Sequence, residues 1–172
     1  MATVRTTDLL LDAFGRIPPL LAEAVGGLDR EALRWRPDVE GVRGNSIGWI
    51  AWHLARQEDV QIAALSAADQ VWDEGWRRRS GVPYHLEAMG YGMTTDEVAA
   101  FDVTGAEVLV DYYDAVHARS VAAIKTLADD DLARVVDRSW DPPVTVAVRL
   151  VSIVDDAAQH VGQLAYLRGL LG

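Results

Sequence analysis

Residues 45–68 read NSIGWIAWHLARQEDVQIAALSAA, and the fold class follows from this stretch. Asn45 or Ser46 offers a side-chain oxygen that accepts from an orphan backbone N–H, so a helix is expected from about Ile47 to Ala68. Trp49, His53, Val60 and Ala64 fall in line along it, which turns one histidine toward the apolar side. Two further segments obey the same period. Gly105 to Leu127 carries Leu109, Tyr113, Val116, Ser120, Ala123 and Leu127 at helical spacing, and Leu150 to Leu170 reads as the last long helix. An interrupted helix precedes them, Leu9–Phe14 and Leu20–Val25, broken at Gly15-Arg16-Ile17-Pro18-Pro19 and ended by Gly26-Gly27. Asp29 caps a short turn through Trp35 that Arg36-Pro37 stops, and Asp38 to Gly44 is a loop. With almost no alternating pattern, these segments predict an all-α bundle in one domain, residues 1–172.

The connections are less regular. From Asp69 to Val103 the period is lost among Gly75, Gly81-Val82-Pro83, Gly90 and Gly92, and one short helix is expected at Thr95 to Phe101 behind a Thr cap. Loops of this length are usually functional, although packing of Trp72 and Trp76 on the body is a sufficient structural reason. Asp129-Asp130-Asp131-Leu132 is a connector and Trp140-Asp141-Pro142-Pro143 a turn. The β-branched run Val144 to Val148 is expected to be extended. There is no internal repeat.

Composition narrows the function. The chain has 172 residues, half of them hydrophobic, enough for a core without disulfides or structural metal. Twenty-six acidic against 16 basic residues give a formal charge of −10, which repels phosphate backbones and anionic lipid. Neither nucleic acid nor a membrane is expected as partner. There is no cysteine, so any thiol chemistry borrows its sulfur. The start, Met1-Ala2-Thr3-Val4-Arg5, is too polar for a signal peptide and no apolar run reaches the ~20 residues of a membrane span, so a cytoplasmic protein is expected.

Four histidines are the candidates for chemistry. His53 on the apolar side of its helix reads first as a hydrogen-bonded core residue and only second as a ligand. His160 shares a strip with Asp156 one turn before and Gln163 one turn after, a spacing with which two ligands can grip one ion. Arg149, Ser152, Asp155, Asp156, Gln159, His160 and Gln163 also form one polar arc that can simply face water, and spacing leaves the two readings open. His117 lies one turn from Tyr113, and His85 sits in the excursion. Arg77-Arg78-Arg79 is the only basic cluster, a solvated run or an attractor for an anionic substrate.

Asn45-Ser46-Ile47-Gly48-Trp49-Ile50-Ala51-Trp52-His53-Leu54 and Asp156-Ala157-Ala158-Gln159-His160-Val161-Gly162-Gln163-Leu164-Ala165-Tyr166-Leu167-Arg168-Gly169 together resemble the DinB/YfiT-like metalloenzyme superfamily. More narrowly they are similar to its mycothiol transferase branch, as are Leu28 to Pro37 and Trp140 to Val144. The resemblance implies a four-helix bundle with the long excursion between its second and third helices. It also implies one divalent ion, zinc first with nickel or iron as alternatives, held by His53, Asp156 and His160. Relatives place histidine or glutamate where this chain has Asp156. Further implied are mycothiol as cosubstrate, an electrophilic small molecule as the other partner, and a homodimer.

Two histidines and a carboxylate leave positions open on the ion, as in catalytic sites. Such an ion lowers the pKa of a bound thiol from its reference value of about 8.5, and the resemblance implies a metal-dependent thiol S-transferase or thiol-dependent isomerase. Trp49, Tyr113 and Gln163 are the expected substrate contacts and His117 the expected catalytic base. The excursion is expected to lie across one end of an antiparallel bundle, near the metal. A non-catalytic helical module that lost the ion, a small-molecule binder or dimerisation domain, is the alternative.

Overall fold

The central helix is built from its own caps. Ser46 Oγ accepts from the Trp49 N–H at 3.3 Å, and the helix ends at Ala67, whose φ of 52° is left-handed, with Ala68 N–H donating to the Ala63 carbonyl. The computed structural model describes residues 4–172, which leaves the first three residues of the polar N-terminal stretch outside. In chain order the helices are α1 (Thr6–Gly15), α2 (Ile17–Val25), α3 (Arg30–Arg34), α4 (Ile47–Ser66), α5 (Trp76–Ser80), α6 (Thr95–Ala99), α7 (Ala106–Lys125) and α8 (Val146–Leu171). Two small hairpins, β1 (Asp38–Val39) with β2 (Val42–Arg43) and β3 (Val135–Asp137) with β4 (Val144–Thr145), pair antiparallel.

α1 and α2 meet at Arg16, still in right-handed helical conformation, and Pro18 and Pro19 fall in the first turn of α2 where no N–H is missed. The break is therefore sharper in sequence than in space. Asp29 Oδ1 accepts from Ala32 N–H at 2.9 Å and starts α3. The expected extended run Val144 to Val148 is corrected: only Val144 and Thr145 are strand. Thr145 then caps α8 by accepting from Val148 N–H, and Val146 is buried as the first helical residue. Capping and burial outweigh the β preference of a short branched run.

Helix directions follow from who meets whom. His53 of α4 faces His160 of α8 and Gln61 bonds Arg149, so α4 and α8 are antiparallel. Arg56 of α4 bonds Tyr112 of α7, while Ile62 shares a cluster with Ile124, so α4 and α7 are parallel. Parallel neighbours need a connection that returns the whole length of the helix, about 30 Å for 20 residues. That is what the excursion does. Asp59 accepts from the backbone of Val71 and Trp72, Met89 meets His53, and Phe101 packs beside Gly48, so the chain descends α4 as its numbering rises.

The excursion is thus a strap along α4 rather than a cap across one end, and the bundle is not uniformly antiparallel. It also holds more structure than its glycines suggested: a 3₁₀ turn at Val71–Glu74, α5, and α6 with a Thr94–Glu97 capping box. Trp72, Val82, Tyr84, Val98, Phe101 and Val103 are buried. Arg36 donates to the carbonyls of Gly44, Arg43 and Thr95, tying the β1–β2 hairpin to α6.

α4 is buried on nearly every face, charges included. Arg56 and Asp59 pair at 3.3 Å with side chains 0% and 2% exposed, and Tyr112 Oη donates to Asp59 at 2.7 Å. Arg56 Nε donates to the Ala88 carbonyl at 3.0 Å, and its guanidinium lies 5.2 Å from the Trp72 ring centre. Removing one partner of a buried pair leaves the other uncompensated. Asp59→Ala is therefore expected to cost about 3–5 kcal/mol in urea unfolding and to expose the Val71 and Trp72 amides to hydrogen exchange, while Asp59→Asn costs less.

Candidate functional site

His53 is 7% exposed, stacked on Trp49 with ring centres 4.8 Å apart and planes 21° from parallel. Its Nδ1 donates to the Met89 carbonyl. An oxygen acceptor there requires the proton on Nδ1 and leaves the lone pair on Nε2. Burial lowers the His53 pKa, a shift that the Met89 bond opposes and His160 reinforces. His160 stands edge-on to it with ring centres 5.0 Å apart, and its own Nδ1 lies 3.0 Å from Gln163 Oε1. Each Nδ1 thus faces an oxygen and neither Nε2 makes a hydrogen bond, the orientation a metal-binding imidazole takes from an oxygen partner behind it.

Asp156 Oδ1 is 3.6 Å from His160 Nε2, and the Asp156 side chain is 39% exposed at the rim. The structure brings His53, Asp156, His160, Trp49 and Gln163 together. Among the described residues no three His, Cys, Asp or Glu groups already enclose one point. The donors are of the right kind and adjacent, and the exposed Asp156 is the member free to turn.

Tyr113 and His117 are not brought to the histidine pair. Tyr113 is fully buried and donates to Glu58 Oε2 at 2.8 Å, on the α7 side of α4. His117 is partly buried beside it, ring centres 6.4 Å apart, with Nδ1 unpartnered and its pKa lowered by burial. The expectation of Tyr113 as a substrate contact and of His117 as a base at the same cavity is corrected: α4 lies between them and the cleft, since Glu58 and His53 point to different faces. Trp49, 5% exposed, backs the His53 ring rather than opening to a ligand.

The basic cluster is also engaged elsewhere. Arg77 Nε donates to the Tyr84 carbonyl, and Arg79 lies over Trp76 at 4.0 Å and 3.7 Å from Asp111. His85 is exposed and 3.2 Å from Glu87.

Gly90 is a residue that sequence reading passed over as punctuation. Its φ is +100°, and a Cβ there would stand 2.4 Å from His53 Nδ1 and 3.0 Å from the Trp49 ring. Only glycine lets the strap lie this close against the imidazole. The signal was present as a glycine directly after Met89, but its meaning needed the partner across space.

Glu58 is the other residue missed. It is 1% exposed, bonded by Tyr113 Oη and by Ser120 Oγ, the latter at 2.5 Å. Burial pushes its carboxyl up to about 7, against the pull of the two hydroxyls. Three charged residues, Arg56, Glu58 and Asp59, in the middle of an otherwise apolar helix were the available clue.

The family can now be stated. The pattern of the DinB superfamily matches residues 13–164. The chain belongs to the DinB superfamily. The solved structure of a conserved protein from Enterococcus faecalis is similar over 96% of each chain, with 30% identity and a TM-score of 0.87. A comparison with curated proteins gives no match. No helix among the described residues is long and apolar enough to cross a membrane.

Two outcomes are expected. Gly90→Ala should lower stability by about 1–3 kcal/mol and move the His53 ring signals in an NMR spectrum, whereas Gly92→Ala, also at positive φ but in open space, should show the backbone strain alone. An unfolded glutamate ionises near 4.5, whereas folded Glu58 keeps its proton to about 7. Between those values the folded chain binds the proton that the unfolded one has lost, so this group's contribution falls as pH rises. Glu58→Gln should therefore gain on the parent chain by up to about 3 kcal/mol between pH 4.5 and 8, measured by urea unfolding at both ends.

Proposed function

We propose that the protein is a metal-dependent thiol S-transferase whose ion is held by His53, Asp156 and His160. The observation that supports this reading is the pair of imidazoles with ring centres 5.0 Å apart, each with Nδ1 against an oxygen and Nε2 without a hydrogen bond, with the Asp156 carboxylate 3.6 Å from His160 Nε2. When bound, a divalent ion of the zinc kind lowers the pKa of a thiol that it contacts and so supplies thiolate at neutral pH. The protein supplies the rest. Met89 and Gln163 fix the two tautomers, Trp49 holds the plane of His53, and the buried flank of α4 keeps water from that side.

The thiol is a low-molecular-weight one, mycothiol in the branch that the sequence resembles, since the chain has no cysteine of its own. Its sulfur forms a bond to an electrophilic carbon, the bond from that carbon to the leaving group breaks, and the leaving group takes the electron pair. The thiol proton goes to solvent, so that thiol plus electrophile gives thioether plus acid.

One observation favours a second reading, a binding module without a metal: the three donors do not already surround a common point. Metal analysis of protein purified without a histidine tag separates the two. The transferase reading expects one divalent ion per chain and conjugation of thiol to electrophile. His53→Ala and His160→Ala should lose both ion and rate, Asp156→Glu should keep the ion, and Asp156→Ala should not. His117→Ala should keep the ion. Full rate in metal-free His53→Ala, or no metal in the parent chain, sinks this reading.

A further inference from the structure

The cleft between α4 and α8 continues past the histidines in both directions. Gln57, Val60, Gln61 and Ala64 extend the face of His53 along α4, and Arg149 lies two turns before Asp156 on α8. Between them is a cavity of about 300 Å³, walled by Val60, Ala64, Leu65 and Val136, with Gln57, Gln61, Met89 and Arg149 completing it. On the other side of the histidines is a cavity of about 250 Å³ lined by Pro37, Asn45, Ile50, Gln163, Tyr166 and Leu167. Each cavity shares one residue with the histidine pair. Met89, whose carbonyl holds His53, lines the first, and Gln163, which holds His160, lines the second. The histidines therefore stand between two separate cavities.

Their chemistry differs. The second offers two amides and a phenol with no charged side chain. The first has an apolar wall and one cation. Arg149 donates to Gln61 Oε1 at 3.0 Å and to Asp137 Oδ2 at 3.2 Å, which engages two of its five N–H groups. Asp137 is itself fully used, its other oxygen accepting from Ser139 N–H and Oγ–H, so the free capacity there is hydrogen-bond donation. A donor-rich guanidinium at the edge of an apolar cavity is suited to a carboxylate carried on a small apolar body.

We infer that the Gln57–Arg149 cavity is the subsite for the electrophile, which bears a carboxylate held by Arg149. The Asn45–Gln163–Tyr166 cavity is left for the hydroxyl and amide groups of the thiol. The inference rests on the two-substrate reading above, and its test does not need the metal. Benzoate and the neutral isostere benzamide are titrated into the protein and followed by NMR of the Gln57 and Gln61 amides and the Arg149 Nε–H. Benzoate should shift these signals and bind at least about tenfold more tightly than benzamide, and Arg149→Gln should erase that preference. Because Arg149 also ties Asp137, a second variant is needed. Ala64→Trp, at an exposed rim position, fills the cavity while keeping both members of that pair and should abolish benzoate binding while leaving metal content unchanged. In conjugation assays Arg149→Gln should raise KM for a carboxylate electrophile at least about tenfold and leave its methyl ester unaffected. Equal binding of the two probes, benzoate shifts confined to residues elsewhere, or undiminished binding in Ala64→Trp overturns the inference. Benzoate binding at these residues without conjugation activity overturns the transferase reading and leaves the subsite standing.

Discussion

The buried pair Arg56–Asp59 is the constraint on which the rest of the molecule depends. Two charges removed from water are tolerable only if every remaining donor and acceptor is met, and here the partners come from the strap and from Tyr112 of α7. Asp59 holds the amides that open it, Val71 and Trp72, while Arg56 holds the carbonyls of Leu86 and Ala88, three residues and one residue before Met89. The pair thereby converts a glycine-punctuated connection into a fixed wall. Met89 and Gly90 then reach His53 at the distance of a hydrogen bond and with no room for a side chain.

α4 serves two faces with opposite electrostatic demands. Toward α8, His53 meets His160 and Asp156 in a cleft that opens to solvent at the carboxylate. Toward α7, Glu58 is enclosed by Tyr113 and Ser120, where burial makes the neutral acid competitive at neutral pH and raises the Tyr113 hydroxyl well above its ordinary value. A helix that carried only apolar residues inward would be simpler to bury. This one places polar groups on both flanks, and the parallel α7 and antiparallel α8 satisfy them separately. The His117 imidazole belongs to the α7 side, which is why proximity along the sequence to Tyr113 gave no proximity to the cleft.

Membership of the DinB superfamily accounts for the helical bundle. It does not by itself specify chemistry, because a fold carries many sites. In this chain Asp156 stands at the rim of the cleft, and Arg149, two turns before it on α8, pairs with Asp137. In the proposed site, closure of the three donors depends on rotation of one short side chain, Asp156. That is the physical content of the choice between a transferase and a binding module.

Helix content, the Ser46 and Asp29 caps and the interruption before Pro18-Pro19 were legible in the sequence, because capping chemistry and a period of 3.6 are local properties, whereas spacing alone left His53, Asp156 and His160 open between core or solvated residues and ligands. The 3₁₀ turn and α5, the helical start of α8 at Val146, and the parallel direction of α7 were not. Each is set by burial against residues far along the chain. Glu58 and Arg56 looked like ordinary charges on a helix until Ser120, Tyr113, Leu86 and Ala88 were brought beside them. Gly90 looked like a turn until His53 stood 2.4 Å from where its Cβ would be. Sequence spacing tells which side chains share a face. Which face a helix turns to which neighbour is decided by the whole packing, because the free energy of burying a charge or an imidazole depends on partners that only the tertiary structure supplies.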